Sequence, residues 1–281
     1  MKKLIEIAVL LLLLNLVFIN LSYAANNVGL TDIQIIKKIK KVDKKINKNP
    51  QNSKLFIERG YLKFCLKDYG SALEDYTAAE EIDPTNSNIF YSRGNVWFAK
   101  ENYNSALEDY DKAIELNPKD SKLYVSRGKT KIRMDDIKGA LEDFDLAVKY
   151  NSHSRDAYIN RGIAKDLSGD YSEAILDYRK AIKLCKYSPD AYYNMGLSYF
   201  NGEDYENAVE NFTKAIEQNP MYSMAYYKRG LAYLNLNKKQ FAKSDFQKAR
   251  ELNPGNKDIK NSLDELKEDL KNMMKEEKIY Y

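Results

Sequence analysis

Residues 87–120 read SNIFYSRGNVWFAKENYNSALEDYDKAIELNPKD, and this stretch decides the fold. Its second half spaces Leu107, Tyr110, Ala113 and Ile114 at threes and fours, as a helix with one apolar face requires. Its first part, Ser87 to Lys100, is helical in pattern too. Between them Glu101-Asn102-Tyr103-Asn104 is polar and long enough only for a tight turn, so the two helices must run antiparallel.

The pattern recurs every 34 residues, at Gly60, Gly94, Gly128, Gly162, Gly196 and Gly230. An aromatic precedes each glycine by four residues (Phe56, Phe90, Tyr124, Tyr158, Tyr192, Tyr226), and an alanine follows it by twelve, from Ala72 to Ala242. A second aromatic comes four later (Tyr76, Tyr110, Phe144, Tyr178, Phe212, Phe246), with another alanine three beyond that. Pro84, Pro118, Pro220 and Pro254 close four of the six units. A glycine inside a helix costs roughly 0.5–1 kcal/mol against alanine, so six in register imply a neighbour that leaves no room for a side chain.

Over about 53–256 this pattern resembles the tetratricopeptide repeat family, whose unit is a helix-turn-helix of about 34 residues. The resemblance implies an all-α fold, a right-handed α-solenoid with repeats at 53–86, 87–120, 121–154, 155–188, 189–222 and 223–256. A stack of amphipathic units leaves two raw apolar ends, and both flanks read as capping helices, at 25–52 and 257–281. At the first, Thr31 with Gln34 fits a capping box and Leu30 with Ile35 a hydrophobic staple. A helix from Asp32 to about Asn47 then presents Ile36, Ile39, Val42 and Ile46, and reads as the surviving second helix of a degenerate unit. At the other end Ile259, Leu263, Leu266, Leu270 and Met273 keep helical spacing.

Arginine precedes five of the six glycines, at Arg59, Arg93, Arg127, Arg161 and Arg229, and aspartate follows each arginine by sixteen: Asp75, Asp109, Asp143, Asp177 and Asp245. The fifth unit carries Met195 and Asn211 instead, so both charges vanish together. That is the mark of an ion pair between the two helices of one unit, with a structural role. Lys63, Lys131 and Lys165 stand where the family often has tyrosine; their stems can pack while the ammonium reaches water.

Lys2 and Lys3 before an apolar run, with Ser22-Tyr23-Ala24 after it, fit a signal peptide over 1–24 cleaved after Ala24. The chain is then expected in the periplasm or another extracytoplasmic space. An uncleaved leader would instead anchor it in a membrane, facing the extracytoplasmic side. Seven lysines between Lys37 and Lys48 give the first capping helix a basic surface that could rest on an anionic membrane or an acidic partner, although the preferred reading is the solvated outer face of a cap. Losing Lys2, Lys3 and Glu6 lowers the formal net charge of +4 by only one, a near balance that argues against a nucleic-acid binder. Cys65 and Cys185 lie three units apart, roughly 30 Å by helix packing distances, too far for an internal disulfide, which needs Cα atoms within about 7 Å.

Nothing in the chain reads as an enzyme. His153 is the single histidine, in a turn, no metal-ligand spacing occurs, and the glycines are spread one per helix rather than gathered into a phosphate loop. No cofactor is expected. What remains is surface. In the family the first helices line a concave groove for a peptide or partner helix, which here implies Ile57, Tyr61 and Phe64, then Tyr91, Asn95 and Phe98. Lys122, Lys129 and Arg133 follow, then Asp156 and Asp166, then Tyr193, Leu197, Phe200, Tyr227 and Leu231: apolar anchors flanking a charged middle. The lysine and asparagine that grip chaperone tails in some members are absent, since Ile57 and Tyr61 occupy their places in the first unit. The implied role is an exported scaffold that binds another protein, or, with the leader retained, a membrane-tethered assembly factor.

Overall fold

The computed structural model describes residues 31–279, with side chains through 272. The leader, Leu30 of the expected staple and the side chain of Met273 therefore lie outside the described residues. The chain is an all-α repeat solenoid in two compact units, one ending at Ser152 and one starting at His153. The first holds α1 (Asp32–Lys48), α2 (Ser53–Cys65), α3 (Tyr69–Ile82), α4 (Ser87–Ala99), α5 (Tyr103–Leu116), α6 (Ser121–Arg133) and α7 (Ile137–Tyr150). The second holds α8 (Arg155–Leu167), α9 (Tyr171–Leu184), α10 (Pro189–Asn201), α11 (Tyr205–Gln218), α12 (Ser223–Asn235), α13 (Lys239–Leu252) and α14 (Lys257–Ile279). Among the described residues no helix is long and apolar enough to cross a membrane.

Each hairpin is set by its turn. The first helix ends on a residue in the left-handed region, at Lys67, Glu101, Asp135, Gly169, Glu203 and Asn237, one repeat apart. In the first hairpin Asp68 N–H donates to the Lys63 carbonyl at 3.0 Å and Lys67 N–H to that of Phe64 at 2.9 Å, which is the Schellman arrangement. Asp68 then turns its side chain to the Ser71 N–H and caps the next helix. Asn102, Asp136 and Asp204 do the same in their repeats.

The glycine beat has a ring as its cause. A Cβ on Gly94 would lie 2.8 Å from the ring of Tyr110, on Gly128 2.7 Å from Phe144, and on Gly230 2.5 Å from Phe246. The close neighbour is thus the second aromatic of the same repeat. Tyr76, Tyr110, Phe144, Tyr178, Phe212 and Phe246 are all essentially fully buried, and the alanines at 72, 106, 140, 174, 208 and 242 are wholly so. An aromatic buries roughly 150–250 Å². Laid on bare backbone, one per repeat and three in each compact unit, they form the spine of the core.

Beside five of the six rings sits the charge pair. The Arg127 guanidinium donates from Nε and Nη2 to Asp143, with Nη2 at 2.6 Å, and the same fork joins Arg59 to Asp75, Arg93 to Asp109, Arg161 to Asp177 and Arg229 to Asp245. Its face covers the aromatic three residues before it, 5.5 Å from Phe56 and 5.7 Å from Tyr124 to the ring centres. Its remaining nitrogen reaches back to the preceding second helix: Arg59 to Asp43 of α1, Arg93 to Glu80, Arg127 to Asp111, Arg229 to Thr213. The pair is therefore a joint between repeats as well as within one.

Two expectations need correction. Lys63, Lys131 and Lys165 do not send their ammonium to water; each meets the buried aspartate of its own repeat at 2.9 Å, because that carboxylate has acceptor capacity left after the arginine fork. In α1 the packed face is Ile35, Ile39, Val42 and Ile46, and Ile36 is 44% exposed, since a helix cannot bring both 35 and 36 to one narrow seam. The Thr31–Gln34 capping box is present. At the other end Ile259, Leu263 and Leu266 pack on Phe246 and Ala249, with Leu270 beside them. Cys65 and Cys185 are free thiols.

In the fifth repeat Met195 is buried and Asn211 donates to the Asn207 carbonyl at 2.8 Å, leaving its Oδ1 buried without a partner. Asp109→Asn alone should cost about 3–5 kcal/mol, the scale for unmatching a buried pair. Arg93→Met with Asp109→Asn, which copies the fifth repeat, should recover part of that loss, and a double-mutant cycle by urea unfolding measures the coupling. Gly128→Ala should destabilise by about 1–3 kcal/mol through overpacking on Phe144. Gly70→Ala, with nothing within 4 Å, should gain up to about 1 kcal/mol from helix propensity; equal effects at the two sites would remove the ring from the explanation.

Candidate functional site

Within each unit the second helices alternate with first helices that touch one another directly, α2 with α4 and α4 with α6, and α8 with α10 and α10 with α12. The side chains implied for a groove lie on these first helices, and burial divides them. In the first unit Ile57, Tyr61, Phe64 and Tyr91 are half-buried and Lys122 is exposed. Phe64 leans on Tyr69 with ring centres 5.8 Å apart, closing its own hairpin. Phe98 does the same with Tyr103 at 5.7 Å and is further covered by the Arg133 guanidinium, so it is buried. Arg133 also lies over Tyr103 at 5.1 Å and meets Glu101 at 3.5 Å. Asn95 accepts a 2.8 Å bond from the Tyr110 hydroxyl, and Lys129 is 6% exposed.

In the second unit Tyr193 is 3% exposed, wedged between Phe212 and Tyr222. Tyr227 is 9% exposed on Phe246, with its hydroxyl 3.3 Å from that of Ser262 in α14. Phe200 closes its hairpin against Tyr205. Leu197 and Leu231 remain half-exposed, and Asp156 pairs at 3.2 Å with Arg155 next to it. Lys129 is buried, and Phe98, Tyr193 and Tyr227 are core rather than accessible anchors, because neighbouring side chains and the last helix cover positions that the repeat register alone leaves open. The accessible first-helix set is Ile57, Tyr61, Tyr91 and Lys122 in one unit and Asp156, Leu197 and Leu231 in the other.

Asp166 is neither. Its Oδ2 accepts from the Tyr178 hydroxyl at 2.6 Å and its Oδ1 from Ser198 at 2.7 Å. Burial pushes its carboxyl up to about 7, against which the two hydrogen bonds pull only in part. The signal was present in the sequence: the equivalent positions hold Phe64, Phe98, Ile132, Phe200 and Leu234. Among the described residues no group of three or more histidine, cysteine or acidic side chains could hold a metal ion.

The tetratricopeptide repeat model matches residues 87–120, 189–222 and 223–256, and a second repeat model of the same kind matches 167–202. No curated protein sequence matches the chain. Among solved structures, the chain is similar to the APC/C hetero-tetramer Cut9–Hcn1, with a TM-score of 0.70 and 13% identity over 90% of this chain. It spans about half of that chain, 52% of its length. It is 27% identical to YrrB, described as a TPR protein with an unusual peptide-binding site, with a TM-score of 0.53 over 66% of this chain and 95% of that one. A tetratricopeptide repeat protein from Parabacteroides merdae aligns at a TM-score of 0.65 and 22% identity, over 88% of this chain and 96% of that one. Repeat-model matches, the 34-residue register of ring, glycine and turn, and the likeness of fold agree: the chain carries tetratricopeptide repeats, matched over residues 87–120 and 167–256, in an all-α repeat solenoid.

Proposed function

We propose that this chain is an exported, non-enzymatic scaffold whose first helices hold a peptide or helix of a partner protein. Proteins built of these repeats generally mediate protein–protein interaction, and the repeat-specific side chains carry the reading. Every residue that recurs in all units is spent on rings, backbone approach and turns, whereas Ile57, Tyr61, Tyr91, Leu197 and Leu231 differ between units and keep part of their apolar surface in water. The peptide-binding site named for YrrB, at 27% identity, supports the same use of the fold.

A second reading rests on α1. Its seven lysines are exposed, and Ile33 and Ile36 are 67% and 44% exposed at the end nearest the apolar leader. That combination suits a helix held close to an anionic bilayer by an uncleaved anchor. The mass of the protein isolated from its own cells separates the two: a chain beginning at Ala25 supports export and release, and one beginning at Met1 supports the tether.

Photo-crosslinking in the native compartment tests the groove. A crosslinker placed at Ile57 or Leu231 should capture a protein partner, and one at Glu108 on a second helix should not. Equal capture from all three positions, or capture from Glu108 alone, would move the binding surface off the first helices.

A further inference from the structure

Asp166 departs from the repeat in a way that costs stability. Phe64, Phe98 and Phe200 at this position cover the tyrosine that opens the following helix, at ring distances of 5.8, 5.7 and 5.4 Å. A phenylalanine or leucine would serve the fourth repeat equally. Instead a carboxylate stands there, joined to Tyr178 of α9 and Ser198 of α10, so three helices meet on one acidic group. The aspartates at 75, 109, 143, 177 and 245 each face an arginine; Asp166 makes no ion pair among the described residues, and both of its donors are neutral hydroxyls. Lys165, next to it in the chain, is turned to Asp177 at 2.9 Å and Glu173 at 3.5 Å.

A carboxylate offers about four acceptor directions, and two are used here. The two hydroxyls fix its orientation, and the residue keeps part of its surface in water. Burying a charge without a counter-charge is costly unless a partner supplies one. We propose that Asp166 is where the first-helix surface of the second unit recognises a cation, the guanidinium or ammonium of an arginine or lysine side chain in the bound segment. The proposal rests on the groove reading and adds the chemistry of the partner.

Proton linkage follows from the same geometry. Tyr178 faces Asp166 from α9 and Ser198 from α10, and neither is charged, so burial raises the carboxyl to about 7 with no cationic partner among the described residues to oppose it. Near neutrality the unbound chain therefore holds this group partly protonated, and a bound cation draws the proton off. The ionised, binding-competent fraction rises on the order of tenfold between pH 6 and pH 8, and affinity for a cationic ligand rises with it. For folding the sign is opposite. A carboxyl raised from its unfolded value binds its proton more tightly in the folded chain, so its contribution falls as pH climbs from about 4 toward 7 and stays lost above.

A displayed random-peptide library, panned at pH 8 on the full chain, supplies the probe. Peptides whose binding is lost in Leu197→Ala with Leu231→Ala are kept, and their affinities are measured at pH 6 and pH 8 for wild type, Asp166→Asn and Asp166→Phe. The kept peptides should carry an arginine or lysine whose replacement by citrulline or norleucine weakens binding about tenfold or more. Asp166→Asn should weaken it equally and abolish the pH dependence. Asp166→Phe, which copies three of the other five repeats, should match wild-type helicity and still fail to bind, so loss of fold is not the cause. Kept peptides that bind without a cation, or that ignore Asp166→Asn, would overturn the Asp166 proposal and leave the groove standing. Recovery of no peptide that depends on Leu197 and Leu231 would overturn both.

Discussion

The structure depends on one contact: an aromatic ring of each second helix lying on the bare backbone of a glycine in the first. The ring brings the two helices closer than any side chain at that position would permit, with a hypothetical Cβ at 2.5–3.0 Å from it in all six repeats. Close approach leaves only alanine for the flanking contacts, and it carries the arginine beside the glycine within reach of the aspartate beside the ring. The guanidinium is then held on four sides, by that aspartate, by the aromatic three residues before it, by the core below and by an acceptor on the preceding second helix. Ring, glycine and clamp are one packing solution, repeated.

That solution also sets how repeats join. Asp43 lies two periods before Asp111 and meets Arg59 at 2.8 Å, so α1 is held through the same arginine that joins later repeats. Where Lys63, Lys131 or Lys165 is present the buried aspartate receives a second cation; in the second repeat Trp97 takes that place, and burial raises the Asp109 carboxyl despite Arg93. Local electrostatics thus vary from repeat to repeat on a constant frame. Such variation is affordable because each repeat answers mainly to its neighbours.

Much of the frame was legible in the sequence, because a strict period multiplies weak signals. One glycine in a helix says little, and six at one register point to a close neighbour. The joint loss of charge at Met195 and Asn211 makes the clamp legible in the sequence alone. The candidate site was less legible. Register assigns Phe98, Tyr193 and Tyr227 to the first-helix face, but whether a side chain there meets water depends on what its neighbours place over it, and Arg133, Tyr222 and α14 cover these three. The destinations of the three lysine ammoniums were hidden for the same reason: the aspartate's spare acceptor is a product of tertiary packing. Asp166 was the opposite case, a residue named for the groove whose meaning lay in the five apolar residues at its position.

Recurrence marks scaffold and departure from it marks the working surface; that is the central claim, and one variant tests it directly. Ile57, Tyr61, Tyr91, Lys122, Asp156, Leu197 and Leu231 would be replaced together by alanine, with every ring, glycine and clamp residue kept. Urea unfolding and partner capture in the native compartment would then be measured side by side. The account predicts a chain that still folds and unfolds cooperatively, less stable only by the packing that these half-buried side chains supply, and that no longer captures its partner. A chain that still captures it, or one that no longer folds, would contradict the division of labour on which the account rests.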